Sequence, residues 1–359
     1  MSTAPVSAQD APNTAALVGA DQGAPPSRVS SSAAATLPFA KAINAALHDA
    51  MKADETVIVA GEDVGQLGGV FRVTQGLIDE FGEERVRDTP LAEASIVGTA
   101  IGMAMGGYRP VVEIQFDGFV FPAFNQITTQ LARLRSRSAG TVQVPVVIRI
   151  PYGGGIGAVE HHGESPEAYF MHTPGLRVVA PADPQDAYTL LRAAIESPDP
   201  VIFLEPKARY WAKGEVARTA PTNMGNLQEA RVERAGSDIT LIGYGATVAT
   251  LLEVAEEHAE LGVDCGVVNL RSLSPLDMEP VVREVCTSGR AVIAHEAPLA
   301  VGPGAEVAAR LTEACFYHLE APVARVAGPH IPYPAAAVEA DYLPTPARIS
   351  AAIEQVLAH

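Results

Sequence analysis

The sequence predicts an α/β fold: a mostly parallel sheet covered by helices on both faces, followed by a second, smaller α/β domain. Three observations predict it. Short continuous apolar runs bounded by turn residues alternate with longer segments of 3.6-residue period, as in "TVIVAGED" beside "PFAKAINAALHDAMKAD". The apolar runs carry no polar alternation, which is how strands buried on both faces read. The alternation breaks at a polar, irregular stretch around residues 207–235 and then resumes.

The elements follow in order. Residues 1–36 are rich in Ala, Ser, Pro, Gly and Thr, with almost no large apolar side chains, and are expected to be a disordered tail. One Arg against two acids there argues against a transit peptide, and no basic region precedes an apolar core as in a secretory signal. Over 37–206 the expected strands are "TVIVAGED", "YRPVVEIQF", "VPVVIRIP", "LRVVAP" and "VIFLEP". The expected helices are "PFAKAINAALHDAMKAD", "ASIVGTAIGMAMGG" with its glycine stop, "FPAFNQITTQLARLRSRSAG" with basic residues in its last turn, and "DPQDAYTLLRAAIES". Residues 207–235 are expected to be a linker. Over 236–359 the strands are "ITLIGYG", "CGVVNLRSL", "AVIAHEAP" and "VARVAGP", with four helices between and after them.

Composition narrows the function. The chain has 359 residues and a formal net charge of −17. Such a surface repels phosphate backbones and excludes nucleic acid as a natural partner, while favouring basic partner domains. No apolar run is long enough to span a bilayer. Three cysteines, Cys265, Cys286 and Cys315, show no CxxC spacing, so neither a disulfide framework nor a zinc cage is expected, and a reducing cytoplasm fits.

Several residues stand where chemistry is done. Glu93 heads an apolar helix in "DTPLAEAS". It reads either as a first-turn acid complementing the helix dipole or as a desolvated carboxylate that bonds a ligand's ring nitrogen. Glu113, Gln115, Phe116 and Phe119 lie about the carboxyl end of a strand that ends near Phe116, where ligands of open α/β sheets sit. The phenylalanines offer either ring faces or plain core. "PYGGGIGAVEHHGESPEAYF" joins four glycines to the pair His161–His162, either an acid–base site or a solvated loop. Gly243-x-Gly245 lacks the third glycine of a dinucleotide fingerprint, so a tight turn is expected instead of NAD binding. His295, after a strand, faces a cleft or serves as a hydrogen-bonded structural histidine.

The ordered set "GEDVGQLGGVFRVTQGL", "DTPLAEASIVGTAIGMAMGG", "EIQFDGFVFPAFNQI", "EHHGESPEAYFMHTPGLRVVAPADPQDAY", "PDPVIFLEPK" and "AHEAP" resembles one family over residues 37–358. It is similar to the beta subunit of the thiamine-diphosphate-dependent decarboxylase component of 2-oxoacid dehydrogenase complexes. "EIQF", "SPEA" and "HEAP" resemble the branched-chain (2-oxoisovalerate) branch more than the pyruvate or acetoin branches. The resemblance implies a pyrimidine-binding parallel-sheet domain followed by a transketolase C-terminal-like domain. It implies an α₂β₂ heterotetramer with an alpha subunit, and acyl transfer to lipoyl-lysine of a partner acyltransferase core. Glu93 matches the glutamate that bonds the aminopyrimidine of thiamine diphosphate. Leu91, Gln115 and Phe119 match residues around that ring, with Phe119 at the stacking position. His162 matches the active-site histidine that handles protons or acyl transfer. The family's usual His-Ser-Gln is here His-Gly-Glu, at Gly163 and Glu164. Ala194, Ser197 and Asp199 fall where the branched-chain type holds a potassium ion. The Gly-Asp-Gly motif that holds diphosphate and Mg²⁺ is absent from the chain, so that half of the site is expected from the alpha subunit. A non-catalytic assembly subunit is the rival of a different class.

Overall fold

The computed structural model describes residues 34–219 and 227–359. The expected tail lies outside the described residues up to position 33. Its last two residues, however, belong to a strand that begins at Ala35.

Along the first part of the chain run β1 (Ala35–Pro38), α1 (Phe39–Ala53), β2 (Val57–Gly61), α2 (Leu77–Phe81) and β3 (Val86–Asp88). Next come α3 (Glu93–Met105), β4 (Arg109–Glu113), α4 (Ala132–Arg137), β5 (Val147–Tyr152) and α5 (Glu167–Met171). β6 (Arg177–Val179), α6 (Pro184–Glu196), β7 (Val201–Pro206) and β8 (Lys213–Val216) follow. The remainder holds β9 (Arg231–Arg234), β10 (Ile239–Gly243), α7 (Thr247–Glu260), β11 (Cys265–Asn269) and β12 (Ser272–Ser274). It closes with α8 (Glu279–Ser288), β13 (Ala291–Pro298), α9 (Pro303–Ala314), β14 (Ala324–Gly328), α10 (Glu339–Tyr342) and α11 (Pro346–Leu357).

Two sheets carry the architecture. One has seven strands in the order β12-β6-β7-β5-β4-β2-β3, the other five in the order β14-β13-β10-β11-β9. Pairings are parallel except for β12 on β6 and β9 on β11. β1 and β8 form a separate antiparallel pair.

Period-2 alternation sorts the strand side chains between cores. Val111, Val147, Val201 and Phe203 point to one face, where they meet Phe39, Leu47, Tyr188 and Leu191 of α1 and α6. Val112, Ile148, Ile202 and Leu204 point to the other, with Ile96 and Val97 of α3. That second core continues without a break into Ile242, Val268, Val281 and Ile293 of the other sheet. Leu241, Val267, Leu251 and Ile353 make the third core, on the far side of the five-stranded sheet. Local signals set the helix ends. Asp183 caps α6 by accepting from the Asp186 amide at 2.8 Å, and Pro184 opens the first turn.

Two departures from the sequence reading have physical reasons. "CGVVNLRSL" is two strands, not one. The chain turns at Arg271, whose φ is +54°, and β12 leaves to join the seven-stranded sheet. Arg271 is held there by Asp186 at 3.0 Å. The stretch expected to be a linker holds β8, β9 and the buried Lys207. Its polar residues read as solvated because their partners lie far away in sequence.

Candidate active site

β2, β4 and β5 are neighbours and parallel, so their carboxyl ends lie along one sheet edge. The chain places its acids there. Glu62 follows β2, Glu93 opens α3, Glu113 ends β4, and Asp63 sits beside them with φ +58°. A left-handed backbone at a non-glycine residue costs energy and clusters at functional sites. Both Glu62 carboxylate oxygens are buried and have no hydrogen-bond partner among the described residues. Burial, and then the negative charges of Glu93, Asp63 and Glu113, push the Glu62 carboxyl up. Glu93 is only 8% exposed. Gln115 donates to Asp63 at 3.2 Å.

Beneath this edge lies a fully buried ionic triad. Arg149 bonds Glu113 at 2.7 Å and forks onto Glu205 at 2.6 and 2.9 Å, and Tyr210 donates to Glu205 at 2.7 Å. A second buried pair, Asp117 with Lys207, fixes the turn after β4. The second Asp117 oxygen accepts from the Glu164 amide at 2.8 Å.

The loop after β5 delivers the histidines. His162 stacks on Phe116, with ring centroids 3.9 Å apart and planes 16° from parallel. Phe119 stands edge-on to both rings. The His162 Nδ1 lies 3.1 Å from the His161 carbonyl, which can only accept. Nδ1 therefore carries the proton and Nε2 is left as the acceptor. Burial first, then neighbouring His161 and Lys207, hold the His162 imidazole below the usual histidine range. It is neutral at pH 7 and able to take a proton.

The unpartnered Glu62 carboxylate, the largely buried Glu93, an aromatic corner and an imidazole thus meet on one sheet edge. The residues present fit an aminopyrimidine ring, which needs a carboxylate partner for its ring nitrogen and an apolar wall.

The comparisons with known proteins agree. Residues 35–212 match the transketolase pyrimidine-binding domain family, and residues 228–349 match the transketolase C-terminal domain family. The pyruvate dehydrogenase E1 component subunit beta of Leifsonia xyli is 57% identical, covering 90% of this chain and 96% of that protein. The 3-methyl-2-oxobutanoate dehydrogenase subunit beta of Mycobacterium tuberculosis is 48% identical over 90% of this chain and 92% of its own length. The chain belongs to the E1 beta subunits of the 2-oxoacid dehydrogenases. The 2-oxoisovalerate dehydrogenase subunit beta of Pseudomonas aeruginosa is 43% identical, covering 88% and 94% of the two chains. Among solved structures, a split-gene transketolase in an inactive beta4 tetramer superposes with TM-score 0.73, covering 90% of this chain and 98% of that one at 21% identity. That last likeness concerns the fold alone.

Other expected residues of this E1 beta chain lie elsewhere. Leu91 is 76% exposed, so the chain by itself covers little of it. Ala194, Ser197 and Asp199 sit at the end of α6, before β7 begins, and therefore at the opposite edge of the sheet. Arg109 donates to the carbonyls of Ile195 and Ser197 at 2.8 and 3.4 Å, the Ala194 carbonyl accepts from the Ser197 amide, and Arg135 and Arg177 both bond Asp199. Guanidinium groups thus meet the Ser197 carbonyl and the Asp199 carboxylate, and an amide meets the Ala194 carbonyl. His295 is the structural histidine of its two readings. It is fully buried, with Nδ1 3.0 Å from the Ala297 carbonyl, and burial pushes its pKa down to about 4. Gly245 makes a tight turn with φ +55°, where a Cβ would meet the Tyr152 hydroxyl at 2.2 Å. Sequence reasoning missed Glu62 and the Asp117–Lys207 pair. The acid pair in "GED" after an apolar strand was the signal for Glu62.

Proposed function

We propose that the chain supplies the pyrimidine-side half of a thiamine-diphosphate site that oxidatively decarboxylates branched-chain 2-oxoacids, and that it works only with an alpha subunit. The largely buried Glu93 at the sheet edge, beside the unpartnered Glu62 carboxylate, carries this reading. Thiamine diphosphate, when bound, supplies the electron sink for loss of carbon dioxide. Glu93 would bond the ring nitrogen in a site of low dielectric, where such a bond is strong. Phe119 and Gln115 would flank the ring, and Leu91 would be covered once cofactor and partner are in place. His162, neutral with a free Nε2, would move a proton at the substrate or serve acyl transfer to a lipoyl group. The alpha subunit would hold the diphosphate and its Mg²⁺.

The branched-chain preference rests on "EIQF", "SPEA" and "HEAP" and on the names of the Mycobacterium and Pseudomonas relatives. The Leifsonia relative's name favours pyruvate as the second reading. Side-chain pockets for these acids differ by a few methylenes, worth about 1–3 kcal/mol each. The acidic surface suits a basic docking domain of the acyltransferase core, in the cytoplasm.

The test is decarboxylation by the purified chain, alone and with a candidate alpha subunit, with thiamine diphosphate, Mg²⁺ and an artificial electron acceptor. Activity only in the mixture, with kcat/KM higher for 3-methyl-2-oxobutanoate than for pyruvate, is expected. A preference for pyruvate overturns the substrate alone. Activity of the lone chain overturns the shared site.

A further inference from the structure

The glycine loop that carries His162 is held from two directions. Its foot is tied within the first sheet. The Gly153 amide donates to the Glu164 carbonyl at 2.9 Å, and the Glu164 amide donates to Asp117. Its crown, residues 154–158, is tied differently. The Gly154 amide donates to Glu296 at 2.7 Å, and those of Gly155 and Gly157 donate to the two oxygens of Glu339 at 3.0 and 3.1 Å. Among the described residues the crown makes no other hydrogen bond. Both acids come from the C-terminal part of the chain, Glu296 from β13 and Glu339 from α10.

The geometry is that of an anion cradle. Gly153, Gly155 and Gly157 all have positive φ, so their neighbouring amides turn toward one side. The Glu339 carboxylate occupies that concavity. Tyr333 aims it, donating to Glu339 at 2.7 Å. The packing leaves no slack around Tyr333. A Cβ on Gly154 would lie 1.9 Å from its hydroxyl, and one on Gly163 would lie 2.3 Å from its ring. Glu339 is 8% exposed, so water competes little for these bonds.

We propose that Glu339 is a positioning residue: it fastens the crown of the glycine loop and thereby holds His162 against Phe116. A loop this rich in glycine has many conformations to visit once released. His162 follows the crown by only a few residues, with its backbone amide on the Val159 carbonyl at 2.9 Å. Freedom at the crown therefore becomes misplacement of the imidazole. A misplacement of about 1 Å at a reacting group costs on the order of a hundredfold in rate. The catalytic consequence rests on the proposed decarboxylase reading; the fastening itself does not.

The experiment compares Glu339→Gln, Glu339→Ala and Tyr333→Phe with the unaltered chain. Amide hydrogen exchange is read on each isolated chain. Steady-state kinetics are read with the alpha subunit. For Glu339→Ala the expected result is at least tenfold faster exchange confined to residues 153–163. With it, kcat should fall about ten- to a hundredfold while the KM for thiamine diphosphate changes little. Glu339→Gln, which keeps one acceptor oxygen, should fall between, and Tyr333→Phe should show a smaller loss of the same kind. Unchanged loop exchange overturns the proposal. So does a loosened loop with unaltered kcat, or faster exchange spread over both sheets in Gln and Ala variants alike. If the unaltered mixture is inactive, the decarboxylase reading fails by itself and the exchange data still decide the fastening.

Discussion

The imidazole of His162 lies face to face with the ring of Phe116, 3.9 Å away. The contact joins the strand end after β4 to the loop after β5, so one side chain orients the other across the site. Phe116→Leu keeps the bulk but removes the flat face. Stacked aromatic pairs contribute about 0.5–1.5 kcal/mol beyond their buried area. We expect kcat to fall several-fold to about tenfold in the reconstituted enzyme, with the 2-oxoacid KM moving less. Steady-state kinetics check it; an unaltered kcat would remove the stack from the functional geometry.

For Glu93 the informative variant is Glu93→Gln. It keeps the size and one acceptor oxygen but cannot carry the charge. Decarboxylation should drop by at least about a hundredfold, as when a preorganised electrostatic partner is removed at other sites. Association with the alpha subunit, read by size-exclusion chromatography, should persist, because the side chain is buried at the sheet edge. Near-normal turnover would refute the role.

What the sequence made legible follows range. The strands β2, β5, β7, β10 and β13 are apolar runs whose pattern is local, and each was readable. α1 and α6 announce themselves by apolar spacing and, in α6, by Asp183-Pro184 at its start. β12 was hidden in "CGVVNLRSL" because its partner β6 lies far back in the chain. Lys207 looked like a solvated linker residue, since nothing nearby shows that Asp117, 90 residues earlier, neutralises it. Glu339 bonds Gly155 across 184 positions, a distance at which no period or motif speaks. Glu93 and His162 could be singled out, but their convergence on one edge needed the order of β2, β4 and β5.

Glu167 gives a pH signature. It is fully buried, Tyr244 donates to one oxygen at 3.0 Å, and the other has no partner. Burial pushes its carboxyl up to about 8 from the usual 4.5. The folded state therefore holds this proton more tightly than the unfolded chain does. Its stabilising contribution is complete below pH 4.5 and is lost as the pH rises through 8. Glu167→Gln mimics the neutral acid. At pH 4 its Tm should match that of the unaltered chain; at pH 9 it should be higher by several degrees, roughly 2 °C per kcal/mol for a chain of this size. Thermal unfolding at the two pH values checks the sign.

The triad of Glu113, Arg149 and Glu205 sets two carboxylates against one guanidinium, all buried. Such an arrangement is weak evidence for stability in itself, because desolvation offsets much of the attraction. Breaking it is another matter. Arg149→Met leaves two buried acids facing each other, and removing one partner of a buried pair costs about 3–5 kcal/mol. Arg149→Lys should fare little better, since an ammonium cannot fork onto Glu205 while also reaching Glu113. If the cost arises from the stranded charges, neutralising them restores stability. Arg149→Met combined with Glu113→Gln and Glu205→Gln should recover more than half of the loss in urea denaturation. Recovery would show that electrostatics, not lost packing, is the cause. A triple variant as unstable as Arg149→Met would mean that Arg149 acts by filling space between β4, β5 and β7. The triad also bears on the site above it, because Glu113 lies among the neighbours whose charge raises the Glu62 carboxyl. Burial is the larger cause and stays in place, so Glu113→Gln alone should lower the Glu62 carboxyl only slightly, and NMR titration of Glu62 reads that direction.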